Sequence, residues 1–275
     1  MPCTLFLVTF PEGSRLMFVQ VFVKSLKFVF PKQSTMKQLL LLLVVASISL
    51  PSCWDVFGER VKGNGNVRTE ERSINDFSAI SSYGPYNVYL TQDPGHKVSV
   101  EAEDNLLEYM ETYVDNGELK VRTKEGFHLS PRMDIRIKVS APSFSSIKTV
   151  GSGDIITENQ ITNSSAIKLE ATGSGNIKAN VNAPDVKADI TGSGNVNLEG
   201  ETKSFAGEIL GSGNINAYDL RAENVRVEIM GSGNAEVFAA VKLNVEVSGS
   251  GDVKYKGGGQ VSSSIHGSGS VKKTD

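Results

Sequence analysis

Between residues 151 and 271, short runs of alternating apolar and polar residues recur, and each run reaches a Gly-Ser-Gly in the same phase. Counting back from that tripeptide, apolar or small residues stand at Ile167, Leu169 and Ala171, at Val186, Ala188 and Ile190, and at Phe205, Gly207 and Ile209. The series continues at Val225, Val227 and Ile229, at Leu243, Val245 and Val247, and at Val261, Ser263 and Ile265. A period of two belongs to strands with one face buried and the other wet. The tripeptide, followed by Asn or Asp, begins at Gly151, Gly173, Gly192, Gly211, Gly231 and Gly249, and Gly267-Ser268-Gly269-Ser270 closes the series. The intervals are 22, 19, 19, 20, 18 and 18 residues, too short for paired-helix repeats. Self-similarity at this period predicts a solenoid of β coils. One strand of each coil starts after the second glycine, as at Asn214–Ala217, and another, such as Val225–Ile229, leads into the next corner.

Parallel coils stack equivalent residues about 4.8 Å apart. Ile155, Ile177, Val196, Ile215, Ala235 and Val253 share one offset from the glycines and are predicted to form an inward column. Asp154, Asn176, Asn195, Asn214, Asn234 and Asp252 form a second column at the turn, where stacked amides can hydrogen-bond from coil to coil. The glycines supply the positive φ that a tight corner needs.

Residues 67–150 repeat less regularly, although Gly63-Asn64-Gly65-Asn66-Val67 echoes the corner. Alternation predicts strands near Tyr86–Leu90, Lys97–Ala102, Leu119–Arg122 and Ile135–Val139, and Asn116-Gly117 marks a hairpin. Asp104–Tyr109 reads as one short helix capped by Asp104. An open solenoid end exposes unpaired backbone, so residues 67–150 are expected to form a decorated β cap with the first coils, ahead of a repeat domain at 151–275.

The N-terminus carries a separate signal. Met36-Lys37 precedes the apolar run Leu39–Val45 and then Leu50-Pro51-Ser52-Cys53, the layout of a secretory signal peptide ending in a lipobox-like motif. This predicts a lipoprotein signal at 36–53, a lipidated Cys53 as the first mature residue, and a linker at 54–66. The run Leu39–Leu50 is short for a membrane span. Residues 1–35 read as an upstream mis-start or an N-terminal extension. Cys3 and Cys53 are the only cysteines, so a mature chain beginning at Cys53 would hold no disulfide. Net charge is −3 overall but −7 for residues 54–275, which argues against a nucleic-acid partner.

Further motifs stand in one order along the chain: Gly63–Val67, Phe77-Ser78-Ala79-Ile80, Gly84-Pro85-Tyr86-Asn87-Val88-Tyr89-Leu90-Thr91-Gln92, Glu103–Leu107, Ala141-Pro142-Ser143-Phe144 and the serial Gly-Ser-Gly-Asn. Together they resemble the bacterial head-GIN-domain family, described as putative autotransporter adhesins and common on Bacteroidetes lipoproteins. The resemblance covers about residues 63–275 and implies a right-handed parallel β-helix in the cell envelope. It transfers no catalytic residue.

The chain offers little for catalysis. His96, His128 and His266 are separated and read as solvated loop residues, and no metal-binding spacing, nucleophile elbow or phosphate loop is present, so no cofactor or metal is expected. Glu170, Asp189, Glu208, Glu228 and Glu246 form an outward column, with Lys168, Lys187, Ala206, Arg226 and Asn244 two residues earlier. This is either a solvated face on which neighbouring columns neutralise each other or a binding stripe. A repeated ladder makes no unique acid–base pair, which weighs against a polysaccharide lyase or glycosidase, the rival reading. A calcium β-roll needs Gly-Gly-x-Gly-x-Asp twice per coil, whereas this chain has one Gly-Ser-Gly, followed mostly by neutral Asn. The expected function is a non-enzymatic, lipid-anchored cell-envelope protein of the outer membrane that presents a β-helical surface for adhesion or for binding a protein or glycan. The sequence sets no oligomeric state.

Overall fold

A computed structural model describes residues 58–274. Residues 1–57, including the predicted signal peptide and Cys53, lie outside the described residues. The chain is a β-solenoid of about seven turns spaced about 19 residues apart. Asn195–Gly211 runs in parallel beside Ile177–Gly192 on one side and Asn214–Gly231 on the other. The first glycines of successive corners sit opposite one another from Gly151 through Gly173, Gly192, Gly211, Gly231 and Gly249 to Gly267. The 20-residue interval is absorbed at a register shift, because Asn197 faces Asn216 whereas Glu199 faces Asp219. One extra residue is thereby accommodated without disturbing the corners.

Both corner glycines pass too close to the preceding coil to carry a side chain, and the first is also held in the left-handed region. The first takes a positive φ, from 106° at Gly173 to 140° at Gly267. The second lies so close to the coil before it that a methyl group on Gly194, Gly213, Gly233 or Gly251 would overlap the carbonyl oxygen of the preceding second glycine. The corner amides hold the stack together: at Gly192, for example, Ser193 N and Gly194 N both donate to Gly173 O, at 2.8 and 3.1 Å.

Alternation along each coil fills the interior. The six-residue column from Ile155 to Val253 is completely buried. The three-residue sets leading into the corners are buried as far as Val247, and Gly207 leaves the room that the Ile215 side chain occupies. The last set departs from the pattern: Val261 is half-buried, and Ser263 and Ile265 are exposed. Among the described residues no further coil covers them.

The N-terminal part consists of larger coils. Gly84-Pro85-Tyr86 occupies the corner preceding Gly151: Gly84 has φ 135°, and its carbonyl accepts from Gly153 N at 3.0 Å. Tyr86 replaces the second glycine, fills the interior at 1% exposure, and bonds through its hydroxyl to Thr123. Ala79–Tyr83 and Asn87–Gln92 extend the two parallel sheets toward Glu118–Thr123 and Arg136–Ala141. Antiparallel strands follow, with Val67–Arg72 on Lys97–Glu103, and Lys97–Glu103 on Arg136–Ala141. The hairpin Met110–Asp115/Glu118–Thr123 turns at Asn116 and Gly117, both with the positive φ of a type I′ turn.

Three expectations change. Glu59–Lys62, expected within a linker at 54–66, is a strand paired with Phe127–Ser130. The predicted helix at Asp104–Tyr109 is only a 3-10 turn at Leu107–Tyr109, without a side-chain cap, because the Asp104 carboxylate instead accepts from Asn64. Gly63-Asn64-Gly65-Asn66 is not a corner but the seat of the fully buried Glu103. That carboxylate accepts from Gly65 N at 2.6 Å and Arg132 N at 2.8 Å, and a side chain at Gly63 would overlap it. Backbone amides thus replace the water that a buried carboxylate loses.

Candidate binding faces

The turn column forms a directional hydrogen-bond chain. Asn176 Nδ2 donates to Asp154 Oδ1, Asn195 Nδ2 to Asn176 Oδ1 and Asn214 Nδ2 to Asn195 Oδ1, each at 2.8 Å, and Asn234 continues to Asn214 at 3.0 Å. Asp252 donates through its backbone N to Asn234 Oδ1 at 3.1 Å, and its carboxylate accepts from Ser270 at 2.6 Å. An amide both donates and accepts, so Asn suits each interior rung. At the N-terminal end Asp154 needs only to accept, and its Oδ1 takes both the Asn176 backbone and side-chain N–H groups. The hydrogen bond from Ser270 is the largest influence holding the Asp252 carboxyl below its ordinary range.

The charged column lies on the strands that run into the corners, where Glu170, Asp189, Glu208, Glu228 and Glu246 are directly opposite one another. Bases beside it compensate unevenly. Lys168 reaches Glu170 at 2.8 Å and Asp189 at 3.7 Å, and Lys187 reaches Asp189 at 3.0 Å and Glu208 at 3.6 Å. Lys148, directly opposite Glu170, approaches it at 3.9 Å and ends the acidic run on that side. Arg226 meets Glu228 at 3.3 Å. Glu246 has no ion pair among the described residues, because Asn244 occupies the place of a base. Burial by itself would raise the Glu170 carboxyl. The Lys168 hydrogen bond and the charges of Lys148, Lys168 and Lys187 outweigh it and leave the group below its ordinary value.

Sequence reasoning missed the neighbours of the acids. Leu210 and Met230, opposite each other and two residues beyond Glu208 and Glu228, are 47% and 38% exposed. Their signal was present as apolar residues on the outward phase. The histidines also differ from expectation. His96 is half-buried against the Phe77 ring, with Nδ1 3.1 Å from Asp76 and Nε2 3.0 Å from Phe77 O. His128 and His266 lie in strands rather than loops.

Stacked parallel coils, glycine corners and a through-going amide column define a β-solenoid whose outward residues form long columns. The description "Putative auto-transporter adhesin, head GIN domain" matches residues 76–259, and the chain belongs to that family. A crystal structure of a "putative adhesin" from Bacteroides fragilis NCTC 9343 is similar with TM-score 0.73 and 24% identity, over 78% of this chain and 100% of that one. A "Putative lipid binding protein" from Parabacteroides distasonis ATCC 8503 is similar with TM-score 0.68 and 28% identity, over 79% of this chain and 100% of that one. A third structure, a "putative adhesin" from Parabacteroides merdae ATCC 43184, has TM-score 0.59 and 22% identity, over 79% and 100%. No curated protein matches the chain.

Proposed function

We propose that the protein is a non-enzymatic, lipid-anchored protein of the cell envelope that binds a protein or glycan partner through the coil face carrying Glu170, Asp189, Glu208, Glu228 and Glu246. The observation that carries this reading is the uneven pairing of that column. Its N-terminal members are neutralised by Lys148, Lys168 and Lys187, whereas Glu246 stands unpaired and Leu210 and Met230 are exposed beside the other C-terminal members. A residual negative charge next to exposed aliphatic side chains suits a partner that brings basic groups or bridging cations. The general acid of a glycosidase needs a raised pKa, so Glu170, held below its ordinary value beside Lys168, is not suited to that role. The family description and the adhesin-like neighbours support adhesion at the envelope. The lipid-binding description of one neighbour supports contact with lipid at the outside, since the coil interior here is filled by side chains.

A glycan array and cleavage assays on the same glycans test the reading. Binding without cleavage is expected, weakening as salt rises and lost in Glu208→Lys/Glu228→Lys at unchanged melting temperature; cleavage of a bound glycan would overturn it. The anchor is tested separately. Cys53→Ser should move the protein from the membrane to the soluble envelope fraction, because lipid chains hold by burying methylenes at about 0.8 kcal/mol each. Unchanged fractionation would exclude lipidation at Cys53.

A further inference from the structure

The antiparallel sheet of the cap carries a cleft of about 350 Å³ that shares no residue with the acidic column. Three strands build it. Lys97 is directly opposite Ser140, and Ser99 is directly opposite Lys138. Side chains opposite each other in an antiparallel ladder are about 5 Å apart at Cβ, and diagonal ones about 7–8 Å. The four residues therefore form a checkerboard, with two ammonium groups on one diagonal and two hydroxyls on the other. All four line the cleft. Lys97 and Lys138 are exposed and have no acidic partner among the described residues. Arg72 and His96 also border it, but Arg72 stands opposite the buried Val98, so its side chain belongs to the other face of the ladder. Arg72 is fixed by Glu70 at 3.2 Å and Leu107 O at 2.9 Å, and its Nε is buried without a partner. The carboxylate of Glu71, opposite Ser99, is the one acid in the lining.

We propose that this cleft binds a phosphate monoester through Lys97, Lys138, Ser99 and Ser140. Phosphate oxygens accept several hydrogen bonds at once, and the group carries about −1.5 to −2 charges at neutral pH. Two unpaired ammonium groups match that charge, whereas a single carboxylate would leave one of them uncompensated. The cleft is roomier than a bare anion requires, so it admits the group that carries the phosphate. Glu71 opposes the anion and limits affinity. The carrier is a sugar or a lipid headgroup, and the chemistry at the cleft is the same for both.

Calorimetry on the full chain with glucose 6-phosphate, with glucose as control, tests the free ester. Flotation of the Cys53→Ser chain, which has no lipid of its own, with phosphatidylcholine vesicles with and without phosphatidic acid tests the headgroup. Binding is expected to one of these phosphate probes, weakened by about tenfold for each lysine removed in Lys97→Ala/Lys138→Ala. Glu71→Gln should tighten it, and Lys272→Ala in the last coil should leave it unchanged. If the alanine pair lowers the melting temperature, Lys97→Gln/Lys138→Gln keeps the aliphatic stems and decides. Affinity retained by that variant, or no binding of either phosphate probe, overturns the proposal.

Discussion

At Gly213 the backbone of one corner passes so near the previous one that a methyl group would meet both Gly194 O and the Ile190 side chain. The neighbouring Ser212 is exposed. Gly213→Ala should therefore cost about 1–3 kcal/mol through overpacking, whereas Ser212→Ala should remain within about 0.5 kcal/mol. Urea melts of the two variants check the contrast, and equal midpoints would show that the corners are loosely stacked. The sequence announced the glycines but not the close approach that both of them make to the preceding coil. Positive φ is a property of one residue, whereas close approach depends on where the preceding coil passes.

The strand is the element on which the amide column acts. Asn195 donates to Asn176 and accepts from Asn214, so its side chain closes two successive rungs. Asn195→Ala leaves a donor and an acceptor without their partners and should cost about 1–3 kcal/mol. Asn195→Asp keeps the acceptor for Asn214 but turns a carboxylate toward Asn176 Oδ1. The introduced carboxyl is harder to ionise folded than unfolded, so the deficit should be full at neutral pH and shrink as acid restores a proton to donate. Denaturation midpoints across that range test the sign; a pH-independent deficit would mean that the rung reorients. The identity of this column was legible because Asn recurred at one offset. The cap strands were legible one by one, from alternation and from Asn116-Gly117, but their partners were not. Val67–Arg72 meets Lys97–Glu103 with the strands Ala79–Tyr83 and Asn87–Gln92 between them in the chain, and no local pattern records that pairing.

For the whole molecule, stability is close to a sum of coils and their interfaces, because each coil contacts mainly its neighbours. Removing residues 192–210 takes out one full register unit and brings Gly211 onto Gly173. That deletion should keep the β circular dichroism spectrum and a cooperative melt. Removing only residues 192–200 shifts every later side chain out of phase and should abolish folding. Identical behaviour of the two deletions would refute a coil-by-coil architecture.

The sequence by itself determined the repeat, its phase and its corner chemistry. These are periodic, and a periodic fold repeats the same local interaction often enough to stand out in one chain. It also determined the family, through motifs that lie close together along the chain. Tertiary structure decided what arises once. Gly84-Pro85-Tyr86 became a corner because Tyr86 fills the end of the core, and Gly63 became the seat of Glu103 because a buried carboxylate needs backbone donors. Glu71, Ser99 and Lys138 came together because antiparallel pairing placed three distant strands side by side. Charge balance was decided in the same way, since whether an acid in the column is neutralised depends on which base the neighbouring coil brings beside it.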